Sequence, residues 1–138
     1  MFEKIKGNKT FTKLMKRQNI NLSYAMVEPS DSWYNIISTI HNSLNEMKKL
    51  PHNEVEITSH DNLKLKGIYY PNPKKSSVTV ICLHGYASHP EKEMAFPGLF
   101  YLSQGYNVLI TYQRAHGLSQ GKFMSLGVLE QQDMIRWI

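Results

Sequence analysis

Two apolar runs joined by one helical segment constrain this chain most. Val78 to Leu83 (VTVICL) and Tyr106 to Tyr112 (YNVLITY) are short, β-branched and aromatic. They read as strands buried on both faces, the pattern of a parallel central strand. Between them, Ser88 to Glu91 has the S-x-x-E form of a capping box. A helix is predicted from there, interrupted or restarted at Pro97, with Phe96, Leu99, Phe100 and Leu102 on its apolar side and Gly105 at its C′ position. Strand, helix, strand is a βαβ unit with a right-handed crossover, so the fold class is α/β.

The flanking segments extend this unit. Val55 and Ile57, then Leu63, Leu65 and Ile68, fit two short strands, and the polar turn at 60–62 makes them a hairpin. After Tyr112, a Gly-containing loop from Gln113 to about Gly127 leads into a helix from Val128 onward. Before the hairpin, a helix capped by Ser30 or Asp31 is predicted to run to about Leu50. Its Trp33, Ile36, Ile37, Ile40, Leu44, Met47 and Leu50 lie at helical spacing and form one docking face. The organisation expected is a basic leader plus amphipathic helical prefix over 1–50 and an α/β unit over 54–138.

Composition narrows the function classes. The 138 residues are 41% hydrophobic and 20% charged, values of an ordinary globular domain. The net charge of +5 is confined to residues 1–22, which carry Lys4, Lys6, Lys9, Lys13, Lys16 and Arg17 against Glu3 alone. The remaining residues balance, so no basic stripe suggests nucleic acid. Phe11, Leu14 and Met15 fall at helical spacing among the lysines; a solvated terminal helix is the first reading and an anionic membrane surface the second. The single cysteine, Cys82, excludes an internal disulfide and suits a reducing cytoplasm. Inside VTVICL it is a packed hydrophobe rather than a nucleophile. The six histidines show neither HxxxH nor HExxH spacing, so no metal site is expected, and no nucleotide or flavin motif is present.

The strand at 78–83 runs directly into His84-Gly85-Tyr86-Ala87-Ser88. Strand followed by His-Gly resembles the turn after the third strand of the α/β-hydrolase superfamily. The stretch from Val78 to Ile138 resembles the N-terminal half of a bacterial serine hydrolase of that superfamily, esterase- or peptidase-like, and EVEITSHDNLKLKGIYYPN (54–72) resembles its opening hairpin. The resemblance implies a partial α/β-hydrolase fold with a helical prefix. It also implies that the Tyr86 backbone N–H is an oxyanion-hole donor, supported by His84 and Gly85, with His84 structural rather than the base. Gln113 to Ser119 resembles the family's D-x-R-G-H-G-x-S stretch. Arg114, His116, Gly117 and Ser119 match and would form the rim of the site. Tyr112 replaces the usual Asp and Ala115 the usual Gly, which puts the tight turn of that loop in question.

Gly117-Leu118-Ser119-Gln120-Gly121 also satisfies the G-x-S-x-G expression of a nucleophile elbow. An elbow serine sits on a strained turn directly between strand and helix, with an acid and then a histidine later in the chain. Here Gln113 to His116 intervene after the strand, and no histidine follows Ser119. Ser119-Gln120-Gly121-Lys122 spells S-x-x-K, without a helix to carry the lysine over the serine. The nucleophile is therefore expected beyond Ile138. The sequence reads as the N-terminal portion of a hydrolase of ester or other acyl bonds, inactive alone and needing no cofactor. Its partners would be a small acyl substrate once completed, and a C-terminal half or a second copy at an open sheet edge. Two alternatives remain: a miniature hydrolase using Ser119 with His84 or His116 as base, and a non-catalytic fragment that pairs with another chain or a membrane surface.

Overall fold

A computed structural model describes residues 9–18, 29–30 and 32–138. The elements are α1 (Lys9–Met15), α2 (Tyr34–Lys49), β1 (Asn53–Thr58), β2 (Lys64–Tyr70), β3 (Thr79–Leu83), α3 (Pro90–Ser103), β4 (Asn107–Thr111) and α4 (Glu130–Trp137). The strands form one mixed sheet in the order β1-β2-β4-β3. β1 and β2 pair antiparallel with Val55 opposite Gly67. β2 pairs antiparallel with β4, Ile68 opposite Ile110. β3 lies parallel to β4, Ile81 opposite Leu109. The hairpin and the βαβ unit thus interlock, because β4 passes between β2 and β3.

This order corrects one expectation from the apolar runs. β4 is buried along its whole length, but β3 is the end strand of the described sheet, with Val78 50% and Leu83 42% exposed. A continuous apolar run reports low polarity, and it does not say how many neighbours a strand has.

The helices show where local signals lost to packing. Ser88 and Glu91 form no capping box; α3 begins with Pro90 at its first turn after a His89 N-cap that makes no side-chain cap bond. Glu91 instead accepts the Tyr112 hydroxyl. Pro97 lies inside an unbroken α3, which buries Ala95 and Gly98 and packs on both α2 and β4. The helix ends as its sequence predicts. Gly105 (φ +91°) donates to Leu102 O at 3.0 Å, and Tyr106 N–H donates to Tyr101 O at 3.1 Å, a Schellman motif.

The stripe on α2 is covered only in its C-terminal half. Leu44 and Met47 are buried in the core, whereas Trp33 is 64% and Ile36 51% exposed. Met47 reaches the space a Cβ on Gly98 would take, with its Cε 3.0 Å from that position, so a small residue on α3 sets how closely the two helices approach. α2 begins at Tyr34, without a side-chain cap, so Ser30 does not cap it; Asp31 lies outside the described residues. α4 begins at Glu130 rather than Val128. Its apolar residues are also divided: Trp137 packs over Gly67, whereas Ile135 is 72% exposed.

In the leader, Met15 is 4% exposed and Lys16 bridges antiparallel to Phe123. Met124 N–H donates to Met15 O at 2.7 Å, and Arg17 N–H to Lys122 O at 2.8 Å. The segment is therefore docked on the loop after β4 and is not a freely solvated helix. Phe11's side chain and residues 1–8 lie outside the described residues. No helix among the described residues is long and apolar enough to cross a membrane.

Met47→Ala is expected to cost about 2–5 kcal/mol in urea denaturation. Trp33→Ala should stay within about 0.5 kcal/mol, although both belong to the same stripe.

Candidate functional site

The site region lies at the carboxyl ends of β3 and β4, where the 84–88 turn meets the 113–127 loop. At the end of β3, Gly85 N–H donates to Glu93 at 2.8 Å, so the first turn of α3 pins the backbone just before Tyr86. Ala87 follows at φ +48°, a left-handed conformation that turns the chain sharply. The Tyr86 ring is exposed, and its hydroxyl donates to Leu14 O at 2.5 Å. The N-terminal segment therefore touches the side chain of the oxyanion-donor candidate.

His84 is buried with both ring nitrogens in use. Nδ1 lies 2.9 Å from Gly85 O, so it carries the proton, and Nε2 accepts the Gln113 N–H at 3.1 Å. The Gln113 side chain also donates to His84 O. Burial pushes the His84 pKa down to about 4, with the Gly85 bond opposing. A neutral, fully bonded imidazole ties the ends of the two strands together.

The rim loop is organised by Arg114. Its guanidinium, 3% exposed, donates to both Asp133 oxygens at 2.7 Å and to both Asp61 oxygens at 3.0 and 3.1 Å. Burial works against the cation, but its hydrogen bonds to Asp133 and Asp61 carry its pKa up. Hydrogen bonding from Arg114 in turn holds Asp61 down at about 2. His60, Asp61 and Asp133 bring ligand-type atoms within 4.8 Å of one another, but the guanidinium already supplies the positive charge there, so this donor set does not suit a metal.

Ala115, standing where the family pattern has Gly, is fully buried at φ +62°. The tight turn forms despite its methyl group, at roughly 1 kcal/mol of backbone strain. Its N–H donates to Gln120 O at 2.9 Å. Tyr112, replacing Asp, lies against Gly117: a Cβ there would sit 2.4 Å from the tyrosine ring. Gly117 also has φ +44°, so conformation and space both require glycine.

Ser119 is 1% exposed. Its Oγ donates to Tyr112 O at 2.5 Å and accepts the Lys66 N–H at 2.8 Å. The serine thus joins β2 to the residue after β4. From the leader, Arg17 donates to Ser119 O at 2.7 Å and to Gly117 O. His116 is buried against His84, ring centroids 4.4 Å apart. Its Nδ1 lies 3.0 Å from Arg114 O, and burial lowers its pKa. Cys82 is a buried free thiol whose pKa burial raises, the opposite of an activated nucleophile.

His84 packs on His116 in the loop that carries Arg114, Gly117 and Ser119, and His116 and Tyr86 both line a small cavity. Sequence reading missed Asp61, Asp133, Glu93 and Arg17. A signal existed for Asp133: an acid on the helical stripe of Leu129 and Trp137 implies a buried cationic partner.

No family model and no curated protein matches the chain. Solved structures do. One is the Pyrococcus furiosus esterase Pf2001, at 30% identity and TM-score 0.61 over 90% of this chain and 39% of that one. Another crystal form of it matches at 34% identity and TM-score 0.54, over 85% of this chain and 41% of that one. An α/β hydrolase from Vibrio vulnificus matches in fold at 19% identity and TM-score 0.54, over 98% of this chain and 40% of that one. The chain thus spans about two-fifths of the length of the proteins it resembles, and its architecture is a partial α/β-hydrolase fold.

Both His84 and Asp61 have folded pKa values below their ordinary values of 6.5 and 3.8. Their stabilisation is complete above those values and is lost as pH falls toward about 4 and about 2 respectively. The urea midpoint should fall in these two stages, and Asp61→Asn should flatten the lower one. A midpoint unchanged between pH 6.5 and 4 would contradict the assignment of His84. Gly117→Ala should cost at least about 2 kcal/mol, with part recovered in the Gly117→Ala/Tyr112→Ala double variant.

Proposed function

We propose that this chain, a partial α/β-hydrolase fold, is the N-terminal portion of a serine hydrolase of ester or other acyl bonds. It contributes the oxyanion turn and the rim of the site, and it has no hydrolytic activity alone. The observation that carries this reading is the state of Ser119: buried, donating to Tyr112 O and accepting from Lys66 N–H. A nucleophilic serine needs an accessible Oγ whose proton goes to a base. The bonds of Ser119 go to backbone, those of His84 to Gly85 and Gln113, and that of His116 to Arg114. No nucleophile–base pair forms among the described residues.

In this role the Tyr86 N–H would meet the charge that develops on the carbonyl oxygen as a nucleophile attacks. A fixed donor of this kind is worth about 3–4 kcal/mol of barrier. Glu93, by holding the Gly85 N–H, fixes the turn before substrate arrives. The nucleophile, its base and the acid would come from residues other than these, in keeping with relatives more than twice as long. The likeness to an esterase supports acyl chemistry, and a reducing cytoplasm suits the free Cys82.

A second reading rests on β3. Its outer edge is unpaired in the described sheet, and Val78 before it and Leu83 at its end are exposed, so it can receive a strand from a further segment, a second copy or another chain.

The purified chain is expected to show no turnover of p-nitrophenyl acetate above buffer. Ser119→Ala should cost about 1–3 kcal/mol of stability through the lost hydrogen bonds. Turnover abolished by Ser119→Ala in a variant that still folds would establish the miniature-hydrolase alternative instead.

A further inference from the structure

The N-terminal segment and the rim loop together carry an exposed face that is both apolar and cationic. Where they meet, Lys16 bridges antiparallel to Phe123, and Met124 N–H donates to Met15 O at 2.7 Å. Met15 and Met124 turn inward, 4% and 2% exposed. Leu14, Lys16 and Phe123 stay on the solvent side. Leu14 and Met15 are thus not one apolar face of a terminal helix; the loop completes what the leader begins.

The loop adds two leucines at the tips of tight turns. Ser119 N–H donates to His116 O at 3.0 Å, and Val128 N–H donates to Ser125 O at 3.2 Å. The first turn presents Leu118, 54% exposed, and the second Leu126, 66% exposed. Both tips are tied to the leader. Arg17 forks onto the carbonyls of Gly117 and Ser119, on either side of Leu118. Leu126 lines a cavity with Tyr86, whose hydroxyl donates to Leu14 O. Exposed apolar side chains brought together in this way, with polar groups around them, mark a surface that meets another phase or partner.

Around these side chains the charge is positive. Lys9, Lys13, Lys16 and Lys122 are exposed, and none of them is in an ion pair among the described residues. Lys9, Lys13 and Lys16 fall at i, i+4 and i+7 and share one side of the segment. Glu93 and Glu130, the acids tied to this rim, accept backbone N–H groups. Unpaired lysines favour an anionic partner. Leucines on two separate tips suit a fluid apolar layer, which each can enter on its own, better than a shaped protein partner. We propose that this face docks on an anionic lipid bilayer. Leu14, Leu118, Phe123 and Leu126 enter the headgroup layer, and the four lysines reach its phosphates along their apolar stems. Lipid binding here is independent of the hydrolase reading.

The experiment sediments the full chain with vesicles of POPC alone or of POPC with about 30% POPG, in about 0.1 M NaCl. The POPG vesicles should bind at least about tenfold more tightly, and about 0.5 M NaCl should remove most of that difference. Lys13→Glu/Lys16→Glu should weaken binding to them about tenfold or more, and Leu118→Ser/Leu126→Ser about fivefold. All four side chains are exposed, so each variant should keep the parent's urea midpoint. Equal binding to both vesicles would overturn the surface. So would leucine variants that bind as the parent does, because the lysines of the leader would then act alone. Binding to neither vesicle overturns it as well, and a dimer on gel filtration would then assign the face to a second copy.

Discussion

One buried guanidinium holds three separate parts of this structure in register. Arg114 takes Asp133 from α4 and Asp61 from the β1–β2 turn, so the rim loop, the hairpin and the last helix meet at one cation. Burying such a group is favourable only when its donors are occupied. Here four bonds to two carboxylates do that, and Ser59 supports Asp61 with a further bond at 2.6 Å. Removing Arg114 would leave Asp133 buried without its counter-charge. The hairpin turn and α4 would then lose their common anchor beside the site.

From this anchor the loop can be followed one residue at a time. Ala115 and Gly117 both take left-handed conformations, which fold the chain back so that Ser119 reaches Lys66 on β2 and the carbonyl after β4. Tyr112 occupies the space that Gly117 leaves open. The G-x-S-x-G spelling therefore has a structural cause here: its first glycine accommodates a tyrosine ring, and its serine closes a strand-to-loop joint. On the other side of the cavity, Glu93 and Leu14 hold Gly85 and Tyr86. The N-terminal segment, distant in sequence, is thus part of the rim.

Much of the fold was legible because periodicity and turn chemistry agreed. The hairpin, the βαβ unit and the Gly105 helix end followed from local patterns. What failed were features that depend on neighbours. The apolar run of β3 alone suggested a central strand, and only the missing neighbouring strand pointed to its open edge; the α2 stripe did not reveal that Trp33 and Ile36 would stay exposed while Leu44 and Met47 were buried. Ser88 and Glu91 had the spacing of a cap, but Tyr112 drew Glu91 elsewhere. For the site, Arg114, His116 and Ser119 were singled out by the resemblance of their loop to the family's stretch, and the structure places them together. Their partners Asp61 and Arg17 were not, since nothing local marks a residue that acts across the fold. Ala115 shows the limit of matching motifs: a side chain in place of glycine raised doubt about a turn that forms with modest strain.

The central claim is that Ser119 is a structural hydroxyl and the oxyanion turn awaits a nucleophile from elsewhere. Fluorophosphonate labelling followed by peptide mass spectrometry tests it directly, because the probe reports an activated serine without requiring turnover. The account predicts no adduct on Ser119 in the folded chain, and the same absence at alkaline pH. A stoichiometric adduct on Ser119 would contradict it.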